Sequence, residues 1–367
     1  MRTAISAESY KKDYPGCTLH QIGPYVGKMR PSLARQLITT YSKEKDWIWD
    51  PFCGSGTVPL ESRLLCRNVI AVDVNPYACV LTRAKLHAPT SEDIALSQLA
   101  QVASELKSIT RGNGCKIPRW VKEFFHRRTL REAIFIASRF ISQRQYFNLG
   151  CLLGILHHQT SGFLSYPASH LIPYLRDKRF PRNRYPEAYK YRDPIPRLEV
   201  KIKHILAKLP PPLATRFRVL QKSAFNKYLP DQSMDAVITS PPYMDALDYS
   251  RDNRLRLWFL GVDYKSIKDV EIRRVSTFEK DMTKVMQIMT KVVKANGACV
   301  LVLGDVSHSD DRNYDVPQMV IDLVKDRVKT LHLEEKWVED LPDHRRSIRK
   351  GRATKKETVL VFRKIGR

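Results

Sequence analysis

The stretch Trp47-Ile-Trp-Asp-Pro-Phe-Cys-Gly-Ser-Gly-Thr57 decides the fold. It begins as a short apolar run and ends in a glycine-rich turn, which leads into a helix-compatible segment from Val58 to Cys66. A second apolar run, Asn68 to Asp73, ends in an acid. The order strand, glycine loop, helix, strand predicts the beginning of a parallel, doubly wound α/β sheet.

The glycine loop predicts a ligand site at the end of the first strand. Gly54 and Gly56 let the backbone approach a ligand closely, and the helix behind them presents free N–H groups. Asp73, at the end of the next strand, is placed to accept hydrogen bonds from ribose hydroxyls. Dinucleotide binding is the rival interpretation, but the third glycine of that fingerprint is absent, as is the lysine of a phosphate loop.

A second motif, Ser240-Pro-Pro-Tyr243, follows an apolar strand from Met234 to Thr239. An exocyclic amine on a heterocycle is a poor nucleophile, because its lone pair is delocalised into the ring. Ser240 and a rigid prolyl carbonyl supply acceptors that localise this pair, and Tyr243 offers a stacking face for a flipped base. A displacement reaction at that amine then depends on positioning and electrostatics.

Together the two motifs resemble the amino-methylating, site-specific DNA methyltransferases, over residues 20–88 and 217–363. The resemblance implies a Rossmann-like sheet that binds S-adenosylmethionine, and catalysis by Ser240, Pro241, Pro242 and Tyr243. Lys28 would meet the carboxylate of the cofactor. Ser223 or Phe225 would take the place of an acid that some members carry near the cofactor adenine. The cofactor-binding residues so implied are Tyr25, Lys28, Asp50, Pro51, Phe52, Gly54, Ser55, Gly56, Thr57, Asp73 and Ser223.

The choice of target base depends on Ser240. In the resembled family the motif begins with Ser mostly in cytosine-N4 enzymes and with Asp or Asn mostly in adenine-N6 enzymes, so we expect cytosine N4. Adenine-N6 methylation, amino methylation of RNA and a nucleic-acid-binding protein without activity stay open. Cytosine-C5 methylation is rejected, because it needs a nucleophilic cysteine, usually after proline, and the chain has no Pro-Cys pair.

The charge distribution predicts a nucleic-acid partner. The chain holds 63 Lys and Arg against 38 Asp and Glu, a net charge of +25, and residues 111–218 alone hold 22 basic and 6 acidic residues. Such an excess attracts polyphosphate, and we expect duplex DNA. The resemblance adds a separate restriction nuclease as a candidate partner. The predicted DNA contacts are Arg179, Arg182, Arg184, Lys190, Arg192, Arg345, Arg346 and Arg349.

We predict three segments from these patterns. Residues 1–89 form the first half of a methyltransferase domain, 90–215 a basic, mainly helical insertion for target recognition, and 216–367 the second half. Apolar residues recur at helical spacing from Trp120 to Gln143, and helices are expected around Tyr249 to Leu260 and from Thr277 to Lys294. Thr330 to Val338 and Thr358 to Arg363 are expected to close the sheet as an antiparallel hairpin.

The remaining composition predicts a cytoplasmic protein with reduced thiols. The seven cysteines are never spaced as Cys-x-x-Cys, so neither disulfides nor a metal site is predicted. No apolar run approaches the ~20 residues that span a bilayer. Residues 1–14 also lack the apolar region of a secretion signal, so we expect neither membrane insertion nor secretion.

Overall fold

The structure is a computed structural model of the 367-residue chain. It describes residues 16–108, 116–158, 162–167, 180–208, 214–242, 248–267, 275–304, 306–307, 313–340 and 356–366. The α-helices of these residues are α1 (Pro31–Tyr41), α2 (Thr57–Leu64), α3 (Pro76–Leu86), α4 (Glu92–Lys107), α5 (Arg119–Lys122), α6 (Arg127–Ser142), α7 (Tyr146–Ile155), α8 (Pro194–Leu206), α9 (Tyr249–Asp252), α10 (Arg254–Phe259), α11 (Phe278–Val292) and α12 (Val316–Arg327). The strands are β1 (Trp47–Asp50), β2 (Asn68–Asp73), β3 (Phe217–Gln221), β4 (Met234–Thr239), β5 (Val293–Gly304), β6 (Val306–Ser307), β7 (Asn313–Tyr314), β8 (Leu331–Asp340) and β9 (Lys356–Lys364).

Seven strands form one sheet in the order β3-β2-β1-β4-β5-β9-β8. The pairings from β3 to β5 are parallel, and β9 runs antiparallel to both of its neighbours. The predicted Rossmann-like α/β fold and its closing antiparallel hairpin are confirmed. The chain leaves β1 toward β2 and β3 and returns on the other side of β1 as β4, so the strand order reverses between β1 and β4. Ligands bind α/β sheets in the crevice at this reversal.

The central strands are buried on both faces, which is why they read as unbroken apolar runs. In β5, Cys299 and Leu301 pack with α11 and α12, whereas Val300 and Val302 pack with α1 on the opposite face. Some helix starts are capped by the side chain that precedes them. Asn75, for example, accepts a hydrogen bond from the backbone N–H of Tyr77 at 2.9 Å, and a proline occupies the first position of α3.

Two predicted helical segments are interrupted, and a third predicted helix ends two residues earlier than expected. The segment expected from Trp120 to Gln143 breaks before α6, where the His126 side chain accepts from the N–H of Arg128 and caps a new helix. The segment expected from Tyr249 to Leu260 breaks at Asn253, which leaves helical geometry and donates from its side chain to the Tyr249 carbonyl. The third helix ends at Val292, because the next residue already belongs to β5.

The helices between residues 92 and 206 do not pack apart from the sheet domain. Residues of α4, α6, α7 and α8 form one hydrophobic core with α2, α3 and α10. The division at residues 90 and 215 stays a prediction. None of the helices in the described part of the chain is long and apolar enough to cross a membrane.

Candidate active site

The glycine loop folds over the end of β2 and is held there by Asp73. The N–H of Gly54 donates to Asp73 Oδ2 at 2.8 Å, and the N–H of Asn75 donates to Oδ1 at 2.8 Å. Gly54 has a φ of +47°, in the left-handed region. The Asp73 carboxylate thus organises the loop and also lies at the edge of a cavity.

Gly56 is constrained by close packing as well as by its backbone conformation. Its φ is +76°, and a Cβ atom on it would lie 2.6 Å from Thr82 Oγ1 and 2.9 Å from Thr82 Cα. Such distances are shorter than any van der Waals contact, so only glycine lets the loop pack against α3. Gly56 supports the loop from behind and is not among the residues that line the cavity.

Asp50 connects the loop to the second motif. The Thr239 hydroxyl donates to Asp50 Oδ1 at 2.6 Å, and the N–H of Phe52 donates to the same oxygen at 3.3 Å. Asp50 is buried, and burial raises its pKa to about 7, against the lowering effect of the Thr239 hydrogen bond. The two motifs therefore share a hydrogen bond between the ends of β1 and β4.

Ser240 follows Thr239 at the carboxyl end of β4. Its hydroxyl donates to the Val302 carbonyl of β5 at 2.9 Å. Because its only hydrogen is engaged there, the oxygen of Ser240 has its lone pairs left to accept hydrogen bonds. Pro241 is buried and Pro242 lines the cavity, whereas Tyr243 lies outside the described residues.

One cavity brings both motifs together. From the predicted cofactor residues, all but Gly56 line it, and from the predicted catalytic residues Ser240 and Pro242 line it. The full lining is Tyr25, Gly27, Lys28, Met29, Asp50, Pro51, Phe52, Cys53, Gly54, Ser55, Thr57, Val58, Asp73, Val74, Asn75, Lys222, Ser223, Ala224, Phe225, Ser240, Pro242 and Tyr249.

Two residues of this lining, Tyr249 and Asn75, were not predicted from the sequence. Tyr249 of α9 stacks on Tyr25, with ring centroids 5.8 Å apart and an angle of 22° between the rings. Asn75 has a buried side-chain Nδ2 that finds no hydrogen-bond partner among the described residues. An Asn-Pro pair that begins two residues after the strand-ending Asp73 was the available signal for Asn75. Nothing local marked Tyr249, because its neighbour Tyr25 is more than 200 residues away in the chain.

Basic and acidic side chains surround the cavity wall near Lys28. The ammonium of Lys28 donates to the His20 carbonyl at 3.3 Å, and His20 Nε2 lies 2.7 Å from Glu61 Oε1. Lys85 is 3% exposed, and burial, aided by the positive charge of Lys28, lowers its pKa to about 7. Burial also raises the pKa of the Cys53 thiol in the glycine loop, which makes it a poor nucleophile.

The predicted DNA contacts fall into three groups. Arg182, Arg184 and Lys190 are exposed; the Arg182 guanidinium lies 4.7 Å from the centre of the Tyr189 ring. Arg192 instead is 8% exposed and donates to the carbonyls of Ser165 and Ala188. Its placement therefore opposes the predicted phosphate contact, because the protein backbone already occupies its donors. Arg179, Arg345, Arg346 and Arg349 lie outside the described residues.

A family model and two known proteins that match this chain are all described as methylases or methyltransferases. Residues 6–83 match the family model described as DNA methylase. The Type II methyltransferase M.BsoBI of Geobacillus stearothermophilus is 23% identical over 306 residues, which are 74% of this chain and 58% of that protein. The Type II methyltransferase M.MjaII of Methanocaldococcus jannaschii is 35% identical over 68 residues, which are 18% of this chain and 13% of that protein. This chain thus spans little more than half of the first relative and a small part of the second.

Among solved structures, TrmN from Thermus thermophilus aligns over 92% of this chain and 50% of its own. The sequence identity is 11% and the TM-score is 0.38. Within the described residues of this chain, no group of three or more His, Cys, Asp or Glu side chains is placed to hold a metal ion.

Proposed function

We propose that the chain is an S-adenosylmethionine-dependent DNA methyltransferase that methylates an exocyclic amino group of a base, with cytosine N4 as the target. The observation that carries the proposal is the shared cavity, which brings Ser240 and the glycine loop together across the Asp50–Thr239 hydrogen bond. The methylase family model and the two methyltransferase relatives support the same class.

The cavity residues fit S-adenosylmethionine in charge and in hydrogen-bonding groups. Asp50 offers negative charge to a ligand that carries an ammonium and a sulfonium, and Lys28 offers positive charge to its carboxylate. Asp73 would accept from the ribose hydroxyls of a bound cofactor, and the orphaned Asn75 Nδ2 is a further donor at the same wall. When bound, the cofactor supplies an electrophilic methyl group.

Ser240 prepares the target amine. Its hydroxyl hydrogen is held by the Val302 carbonyl, so the serine oxygen accepts a hydrogen from the amine and localises the nitrogen lone pair. The buried Pro241 stiffens the backbone that carries the neighbouring carbonyl acceptor. The base reaches this site after it has been flipped out of the duplex, and the basic segment around Arg182 and Arg184 holds the DNA backbone.

Mass spectrometry of nucleosides tests the proposal. Duplex DNA and RNA are incubated separately with the full chain and cofactor carrying a deuterated methyl group. We expect label in N4-methylcytosine from DNA. Label in N6-methyladenine would overturn the choice of base, label only in RNA would overturn the choice of polymer, and no label in any base would overturn the activity.

Ser240→Ala links the activity to this site. We expect it to lower kcat about 100-fold, because an acceptor at the reacting nitrogen is lost, and to leave cofactor affinity nearly unchanged. Ser233→Ala is the matched control, because that hydroxyl also donates to a carbonyl, of Pro230 at 2.7 Å, but stands before β4 and outside the cavity lining. Equal kcat values in the two variants would contradict the role given to Ser240.

A further inference from the structure

Arg256 of α10 is a buried cation at the junction with the inserted helices. Its side chain is 2% exposed, and it donates from Nε to the Leu153 carbonyl at 3.1 Å and from Nη2 to the His157 carbonyl at 2.9 Å. The Leu153 carbonyl lies in the last turn of α7 and the His157 carbonyl two residues beyond the end of that helix, where the helix dipole favours positive charge. Within the described part of the chain, no carboxylate pairs with Arg256, so backbone and aromatic contacts offset its burial.

Arg256 also contacts the ring of Tyr77, which lies between it and the segment beside the cavity. The Arg256 guanidinium carbon lies 5.4 Å from the centre of the Tyr77 ring, within the range of a cation–π interaction. Tyr77 is fully buried, and its hydroxyl donates to the Pro24 carbonyl at 3.1 Å. The Arg256 guanidinium is therefore connected, through the ring and hydroxyl of Tyr77, to the Pro24 carbonyl, which is next to Tyr25 in the chain.

The same junction is closely packed at two glycines. A Cβ atom on Gly154 of α7 would lie 2.0 Å from the Ile22 carbonyl oxygen, and one on Gly23 would lie 2.6 Å from the Tyr77 hydroxyl. The segment from Ile22 to Pro24 is thus confined between α7 and α3. A shift of Arg256 or Tyr77 cannot be absorbed without moving this segment.

Tyr25 is the point at which the segment meets the ligand cavity. Its ring lines the cavity, stacks on Tyr249 and approaches the glycine loop so closely that a Cβ atom on Gly54 would lie 3.2 Å from Tyr25 Cε1. The position of Tyr25 therefore influences both the loop and the aromatic wall of the cavity.

We propose that Arg256 is a positioning residue for the cofactor cavity, which acts through Tyr77 and Pro24 to hold Tyr25 in place. The inference depends on the proposed function, because it takes this cavity to be the S-adenosylmethionine site. It assigns the inserted helix α7 a part in cofactor binding as well as any part in DNA recognition.

A double-mutant cycle on the full chain tests the proposal. Arg256→Lys keeps the charge but loses the two-pronged contact with α7, and Tyr77→Phe removes only the hydroxyl that holds Pro24. The dissociation constant of S-adenosylhomocysteine is measured by calorimetry. We expect each variant to bind about tenfold more weakly, and the double variant no more weakly than either single one, because both act along one path.

Arg67→Lys is the matched control. Arg67 is also buried, at 7% exposure, donates to the carbonyls of Ser42 and Leu65 and, like Arg256, does not line the cavity. We expect it to lower Tm as Arg256→Lys does and to leave the dissociation constant within twofold of wild type. Equal weakening in Arg67→Lys and Arg256→Lys, or additive effects in the double variant, would overturn the proposal.

Hydrogen–deuterium exchange of the ligand-free chain separates this inference from the proposed function. We expect residues 19–31 to exchange faster in Arg256→Lys and Tyr77→Phe than in wild type and Arg67→Lys. Unchanged exchange there would overturn the positioning role. If wild type does not bind S-adenosylhomocysteine, the proposed function fails, and the exchange result alone then decides whether Arg256 holds the segment.

Discussion

Asp50, which accepts a hydrogen bond from Thr239, gives the candidate site a buried carboxyl group that can change charge near neutral pH. Burial raises the pKa of Asp50 to about 7, while the donated hydrogen bond favours the ionised form and restrains that rise. If Asp50 attracts the positive groups of the cofactor, affinity depends on this balance.

Thr239→Val tests that dependence. The variant keeps the side-chain shape but removes the donor, so the pKa of Asp50 rises further and the neutral form dominates at pH 7. We expect cofactor affinity to fall about tenfold at pH 7 and to recover toward wild type by pH 9, as the carboxyl ionises. Thr239→Ser, which keeps the hydroxyl, should bind like wild type. An equal loss at both pH values would show that the valine disturbs packing instead.

Lys85 predicts a pH dependence of stability. Burial lowers its pKa from 10.5 to about 7 in the folded chain. Between pH 7 and 10.5 the unfolded chain binds the additional proton, so this group makes stability rise with pH over that window. Lys85→Met should increase the free energy of unfolding at pH 7 by about 2 kcal/mol.

The gain in Lys85→Met should shrink as the pH approaches 10, which urea unfolding at several pH values would measure. Lys43→Met, at an exposed position, serves as the control and should show little change at any pH. A gain in Lys85→Met that is independent of pH would mean that the charge of Lys85 carries no penalty in the folded chain.

The turn between β1 and α2 needs glycine at position 56 both for its backbone conformation and for its close contact with Thr82. Gly56 and Gly261 both have φ near +75°, but only Gly56 has neighbours that a Cβ atom would strike. Gly56→Ala should lower the free energy of unfolding by about 3 kcal/mol, from left-handed strain and overpacking together.

Gly261→Ala isolates the backbone part of that effect. No atom lies within 4 Å of its added Cβ, so we expect a loss of about 1 kcal/mol and unchanged cofactor binding. Chemical denaturation of both variants measures the difference. Equal losses would contradict the close approach of Gly56 to Thr82 as the reason for glycine in the loop.

The strands that carry the site were predictable from the sequence, because short runs of apolar residues mark them locally. Apolar runs ending in Asp50, Asp73 and Thr239 gave the three strands that carry the site, because parallel strands buried on both faces need such runs. Long-range contacts were not predictable. Arg192 is buried and donates to the carbonyl of Ser165, which is 27 residues away in the chain, and composition alone did not distinguish it from exposed basic residues nearby.

For the whole molecule, packing and charge divide the inserted region into two parts. The apolar faces of α4, α6, α7 and α8 complete the hydrophobic core beside α3, and Arg256 ties α7 to the cavity. The exposed basic residues around Arg182 and Arg184 follow α7 in the chain and precede α8. Our proposals therefore assign DNA binding to the exposed basic part of this region and support of the cofactor cavity to its buried helices.

Removing charge from this outer part should weaken DNA binding without loss of fold. In the double variant Arg182→Ala and Arg184→Ala, two phosphate contacts are lost, so the slope of log K against log salt should fall by about 1.8. The control is Lys325→Ala with Arg327→Ala on α12, which removes the same charge beside β5 and β8. Fluorescence anisotropy with a labelled duplex at several salt concentrations measures both slopes. If both double variants lower the slope equally, net charge and not a specific contact attracts the DNA; if neither does, residues 182–184 do not contact the phosphates.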